Sequence, residues 1–392
     1  VAGTQLSFGV LPSQMENDFI DIHGYWHHPS FPGRSWDASN WYVRNESIVN
    51  DLDSVLARLM LSQVEGRAYT VSEYNHPAPN TYSSEGIPLI AAYGAFHEWD
   101  GIYYYSYSHS NEYDEKSINS FFDIYGHTPK MLAMPTAAHL FLRKDISSAE
   151  DVVVATVERE EFIDLLTDRN GSTWGLSAET FGMPELAPYL HRTVMRFGRN
   201  LQSPDNPTVR DRRRLVSDTN ELIWNRQRPG RHYVLIRSAK TQGFIGFVAE
   251  DEFELRDNVR LNVGPTMQNW ANVLLTFVRS DEEGDHWLLT ATGYHENKGM
   301  EWKSDARESV GRNWGSGPPM VEAIPLRLSF SDLGDVPQVF ALDNRGQRSK
   351  NVSKLASIEE SEAVVVDLMD EQPSLWYEIV FEKQNVSGAE KY

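Results

Sequence analysis

Three short stretches place polar and aromatic side chains directly after β-forming runs: His23-Gly24-Tyr25-Trp26-His27-His28 after residues 19–22, Glu73-Tyr74-Asn75-His76 after 69–72, and Tyr107-Ser108-His109 after 102–106. These residue types suit sugar chemistry. A carboxylate attacks or stabilises an oxocarbenium-like centre, His and Tyr hydrogen-bond to it and to hydroxyls, and aromatic faces stack on a sugar ring. Glu73 is the carboxylate of the set, His23 and Tyr25 its expected partners, and Asn75, His76 and His109 the polar rim. Trp26 and Trp36, with Trp41, lie in the long loop 26–41 and serve equally well as a sugar platform or a small loop core. The histidines do not form a metal pattern, since the adjacent His27 and His28 cannot readily face one ion and no Asp/Glu–His spacing repeats. No metal or other cofactor is therefore expected.

Positioning such a set requires strands whose ends converge. Up to about residue 143, apolar runs alternate with helix-like stretches, the rhythm of βα units around a parallel sheet. Strands are expected at 5–9, 19–23, 67–73 and 101–107, and helices at 53–64, 86–99 and 116–125. Polar residues at the C-terminal strand ends are then the functional ones. Asp100 precedes its strand and reads as structural. Beyond about residue 215 the texture becomes short β-like runs, at 233–237, 244–248, 273–278, 287–292, 338–342, 363–368 and 375–381. Gly, Asn, Asp and Pro clusters separate them, as in a β-sandwich. The expected architecture is α/β plus all-β: a partial (β/α) TIM-type barrel over residues 1–145, a mixed helical and loop connection over 146–212, and a β-sandwich domain over 213–392.

Composition narrows the partners. The chain has 392 residues, 40% of them hydrophobic, enough for a substantial core, and 56 acidic against 36 basic residues give a formal charge of −20. That charge repels phosphate backbones and anionic membranes, so nucleic acid and membrane are not expected partners and a neutral carbohydrate is. The basic run at 210–214 reads as a solvated surface. No window approaches the ~20 apolar residues of a membrane span, and the first ten residues lack a signal-peptide pattern. With no cysteine, thiolate catalysis is excluded and the redox compartment is left open. An extracellular or periplasmic site would suit a polysaccharide substrate.

At these residues the chain resembles the C-terminal part of the barrel in clan A glycoside hydrolases, the group that includes family 5, and within it a cellulase-like, often metagenomic, branch. The segments DIHGYWHHPSFPGRSWD, YTVSEYNHPAPN and EWDGIYYYSYSH carry the resemblance, with LLTATGYHENKGMEW and WGSGPPMVEAIP downstream. It implies that Glu73 is the nucleophile ending a barrel strand and that His23 and Tyr25 are a His-x-Tyr pair one strand earlier. The reaction it implies is retaining hydrolysis of a β-linked plant-type polysaccharide or oligosaccharide, β-1,4-glucan first.

The clan's acid/base, a Glu preceded by Asn, belongs well upstream of the nucleophile, yet only 72 residues precede Glu73. The Asn-Glu pairs at Glu46, Glu112 and Glu221 stand elsewhere. Glu112, shortly past the third strand end, is the weak acid/base candidate; Glu46 reads as a helix start. An incomplete barrel would expose strand edges and apolar helix flanks, from which a homo-oligomer that completes it is expected. The competing reading is a carbohydrate-binding or assembly protein, derived from a hydrolase and without catalysis.

Overall fold

In a computed structural model, residues 11–111, 113, 116–169, 177–199, 211–256, 258–331, 335–359, 363–369 and 374–382 are described. The strand expected at 5–9 and the candidate Glu112 lie outside them.

Helix α1 (Leu11–Gln14) leads into β1 (Ile20–Tyr25). Helix α2 (Val55–Met60) follows, its first turn capped by the Ser54 hydroxyl accepting from the Ala57 amide, as an N-cap serine does. β2 (Tyr69–Asn75), α3 (Gly86–Phe96), β3 (Gly101–Tyr104) and α4 (Thr128–Phe141) continue the alternation. β1, β2 and β3 form a three-stranded parallel sheet with β2 in the middle. Then β4 (Val152–Glu158), α5 (Arg159–Asp168) and β5 (Arg192–Gly198) make a separate parallel pair.

From Arg214 the chain is strand after strand. β6 (Arg214–Val216), β7 (Leu222–Asn225), β8 (Tyr233–Arg237) and β9 (Thr241–Phe247) form a meander. β10 (Phe253–Glu254), β11 (Val259–Val263), β12 (Trp270–Ser280) and β13 (Asp285–Thr292) come next, and then the hairpin β14 (His295–Lys298) and β15 (Ser316–Val321). The chain closes with β16 (Leu326–Phe330), β17 (Gln338–Leu342), β18 (Arg348–Asn351), β19 (Ala356–Ile358), β20 (Val364–Asp367) and β21 (Trp376–Phe381). Nine strands form an antiparallel sheet in the order β18-β17-β21-β13-β12-β9-β8-β7-β6, and five form another in the order β10-β11-β16-β20-β19.

The nine-stranded sheet is the middle layer. Because alternate side chains of a strand point to opposite faces, Val234, Ile236, Ile245, Trp270 and Leu274 enter the core shared with α3 and α4. Their neighbours Leu235, Phe244, Val273 and Leu275 enter the core shared with the five-stranded sheet. Both faces are buried, so these strands read as nearly continuous apolar runs.

The architecture is not a partial TIM-type barrel. The fold is mostly strand, its large sheets are antiparallel, and the βα alternation does not run on as a barrel. The physical reason lies in the two long helices. A barrel helix keeps a solvent face, whereas every residue of α3 is buried, the mark of a helix covered all round. Helix α4 packs on β9 and β12, where Thr136 and Thr276 share a hydroxyl hydrogen bond of 3.0 Å, and just beyond its end Arg143 donates to the Phe277 carbonyl. The chain's own sheet therefore covers one side of α4, while β3 stays an edge strand with Tyr103 and, past the end of α4, Leu142 exposed beside it. The helix expected at 116–125 is also absent. There Ser120 accepts from the Phe122 and Asp123 amides and Ile118 donates to Asn297, local bonds that compete with a helix. Gly126 packs so tightly that a Cβ would lie 2.0 Å from the Ser117 carbonyl oxygen.

Candidate functional site

The parallel ladder between β1 and β2 slips between Ile22 and Gly24, and that between β2 and β3 slips between Val71 and Tyr74. His23 and Glu73 both fall within these irregularities, which re-aim side chains at strand ends. Together they bring Tyr25 onto Glu73. The Tyr25 hydroxyl donates to Glu73 Oε2, and His23 Nδ1 stands 3.8 Å from the same oxygen. The Glu73 side chain is 36% exposed and that of His23 22%. Glu73 Oε1 has no hydrogen-bond partner among the described residues, so one carboxylate oxygen is fixed and the other is left unbonded. Burial, then the neighbouring Glu73 carboxylate, push the Tyr25 hydroxyl far above the ordinary phenol range, which keeps it a donor at any working pH.

The Tyr25 ring is held among Phe122 at 4.9 Å, His28 at 5.5 Å and Tyr105 at 6.2 Å between centroids. Tyr105 continues into a second polar chain. Its hydroxyl lies 3.1 Å from His109 Nε2, and His109 Nδ1 meets Asp123, which also takes the His109 amide and the Ser106 hydroxyl, each at 3.1 Å. Burial, the largest single effect, raises the Asp123 carboxyl, but the His109 and Ser106 donors together outweigh it and hold the group below its ordinary range. Trp36 is 61% exposed, edge-on to His28 at 6.0 Å and tilted against Phe31 at 5.0 Å. It extends the aromatic surface outward. Tyr107 is also exposed and packs with Tyr113 and Tyr125.

Four of the expected surface residues stand behind the surface instead. Trp26 is buried, its indole donating to the Glu46 carbonyl, and Trp41 is buried with Val43, Met300 and Val310 in a small loop core. Asn75 and His76 are buried too. Asn75 donates to the Tyr105 and Phe122 carbonyls, each at 2.6 Å, while Lys130 Nζ donates to Asn75 Oδ1 at 2.8 Å and to the His76 carbonyl at 2.5 Å. Asn75 thus ties the segments that carry Tyr105 and Phe122 to the end of β2. Burial drives Lys130 down to about 7. His76 meets the Tyr74 hydroxyl at 2.8 Å and lies 3.7 Å from Glu85. Glu85 is pushed up to about 8 by burial, although Ser47 and the Ile48 amide donate to it. Gly86 is required here, since a Cβ would fall 2.4 Å from the His76 ring.

Replacing Lys130 by Met strands Asn75 Oδ1 and the His76 carbonyl in a dry interior. We expect a loss of about 2–4 kcal/mol, read as a lower urea midpoint; an unchanged midpoint would show that Lys130 holds nothing in place.

Of the other Asn-Glu carboxylates, Glu46 is exposed and pairs with His27 at 3.0 Å, just ahead of a short 3-10 turn, Ile48–Asn50. Glu221 accepts from the Ser147 amide, and burial raises its carboxyl. Asp100 Oδ2 accepts from the Tyr69 amide at the start of β2, a structural role at the opposite end of the strand. In the basic run, Arg212 pairs with Glu185 at the surface. No helix among the described residues is long and apolar enough to cross a membrane. A groove of about 1090 Å³ also lies along the outer side of the five-stranded sheet, lined by Arg228, Arg260, Arg327 and Glu250 among others. It contains none of the candidate residues.

Sequence reasoning missed Tyr105, Phe122, Asp123 and Lys130. Tyr105 sits within the aromatic run GIYYYSY, a signal that could have found it; Asp123 and Lys130 carry no local signature. Set against protein-family models, curated proteins and solved structures, the chain matches none.

Proposed function

We propose that the chain is a retaining glycosidase acting on a β-linked neutral carbohydrate, a plant-type oligosaccharide or polysaccharide with β-1,4-glucan as the first substrate to try. The observation that carries this reading is the Tyr25–Glu73 pair. A tyrosine that stays protonated fixes one carboxylate oxygen at a strand end, and the other oxygen is left to attack an anomeric carbon. In the retaining route Glu73 forms a covalent glycosyl-enzyme, and a second group protonates the leaving oxygen and then activates water. Glu112 is the carboxylate proposed for that second role. The aromatic surface of Tyr25, His28 and Trp36 suits the C–H faces of a sugar, as does the exposed Tyr107 in its own cluster, and the charge of −20 disfavours anionic ligands.

The non-catalytic reading rests on a specific observation as well. Asp123, the carboxylate beside Tyr105, is committed to His109 and Ser106 and is not a free proton donor. Incubation with a panel of nitrophenyl glycosides and β-glucans, beside a binding assay, separates the two. Turnover supports the enzyme; binding without turnover supports the sugar-binding protein.

For the enzyme, Tyr25→Phe removes a donor to the attacking carboxylate. Loss of one such donor in an active site reduces kcat by ~10²-fold. We expect that drop in kcat with KM nearly unchanged and a melting curve close to the parent's. An undiminished kcat would remove Tyr25 from the mechanism.

A further inference from the structure

The parallel pair β4–β5 meets the nine-stranded sheet at a second cluster that shares no residue with the Glu73 site. Asp151 immediately precedes β4, His191 immediately precedes β5, and Asp218 lies in the turn from β6 to β7. The backbone fixes all three. Arg192 donates to the Asp151 carbonyl at 3.2 Å, Asp218 donates to the Leu190 carbonyl at 2.9 Å, and the Asp151 amide donates to Asp218 Oδ2 at 3.0 Å. His191 Nδ1 stands 3.0 Å from Asp218 Oδ2 and 3.9 Å from Asp151 Oδ2. One ligand atom from each residue lies within 4.8 Å of the others.

An ordinary His–Asp ion pair leaves one feature over. The Asp218 side chain is only 8% exposed, and its Oδ1 is buried with no hydrogen-bond partner. A buried carboxylate oxygen left unmet is unfavourable, and a cation would satisfy it. The His191 side chain is 17% exposed and that of Asp151 76%, so the site is closed at its base and open at its mouth.

We infer that Asp151, His191 and Asp218 bind a divalent transition-metal ion that clips the β4–β5 pair to the β6–β7 turn. One imidazole nitrogen and two carboxylate oxygens suit zinc or manganese, whereas magnesium and calcium prefer all-oxygen shells. The two carboxylates balance the ion's charge. Ligand atoms of an ion with bonds of ~2.1 Å lie ~3–4 Å apart, close to the separations present, and the exposed Asp151 can close the remainder. Water fills the open positions. On binding, His191 exchanges its hydrogen bond to Asp218 for the metal.

Calorimetric titration of the full chain, stripped with a chelator and then given zinc, manganese or magnesium chloride, tests this directly. We expect saturable binding of zinc or manganese, with magnesium at least ~10-fold weaker, and a melting temperature that rises with the bound ion. Asp151→Asn, at an exposed position, should weaken binding at least ~10-fold while melting like the metal-free parent, and His191→Ala should remove this site's binding. No saturable binding, or binding that Asp151→Asn leaves unchanged, overturns the proposal. Neither outcome depends on any glycosidase activity.

Discussion

Glu73→Gln is expected to lower turnover by at least ~10³-fold while leaving the melting curve in place. Removing a covalent nucleophile takes away a bond-forming partner, and such losses are among the largest that single substitutions cause. Gln keeps the size of Glu and can still accept from Tyr25, so the local packing survives. At 36% side-chain exposure the position also tolerates the change in charge. Steady-state kinetics on the glycoside found active in the panel, with a thermal melt beside them, read both quantities. Residual activity within ~10-fold of the parent would take the nucleophile role away from Glu73.

Acid should destabilise the fold steeply between pH ~6.5 and ~4.5. His97 and His295 are each held down at about 4, burial being the largest cause, and burial holds His76 and His127 well below the ordinary range. The direction follows from the neutral form being the one the fold prefers. Below pH ~6.5 the unfolded chain takes up protons that these native imidazoles refuse until much lower pH. The stability is complete above the unfolded value and is lost as pH falls toward the folded one. Glu85 opposes this. Raised to about 8, it favours the fold most below its unfolded value near 4.5 and progressively less as pH climbs through 8. One carboxyl does not offset four histidines. Each tenfold difference in proton affinity between the folded and unfolded chain is equivalent to ~1.4 kcal/mol, so a net loss on the order of 5 kcal/mol is expected over this range. Urea midpoints at pH about 7, 5.5 and 4.5 measure it, and a flat series would mean that these histidines are not dry.

How much of this could be read from the sequence depends on how local the signal is. The β-runs at 233–237 and 338–342 coincide with β8 and β17, because branched and aromatic residues between polar breaks mark a strand whatever packs on it. The helical spacing of 86–99 corresponds to α3, Gly86–Phe96. The architecture was not local. Three βα units look the same whether a barrel continues or an antiparallel sheet caps the helices, and the difference lies in contacts such as Thr136 with Thr276, 140 residues apart.

The site divides in the same way. Glu73, His23 and Tyr25 follow from strand ends and lie together. His76, Asn75 and Trp26 also follow strand ends, yet they turn inward, because each finds hydrogen-bond partners there, Lys130 and the Glu46 carbonyl among them, supplied by distant segments. Their burial makes them supports of the surface residues.

The most direct test of the central claim is covalent trapping. The active glycoside, remade with fluorine at C2 and a good leaving group, should inactivate the protein and accumulate the glycosyl-enzyme, and peptide mass spectrometry should then find one sugar attached at Glu73. A sugar attached to any other carboxylate, or rapid turnover of the natural substrate with no trapped adduct, would contradict the account.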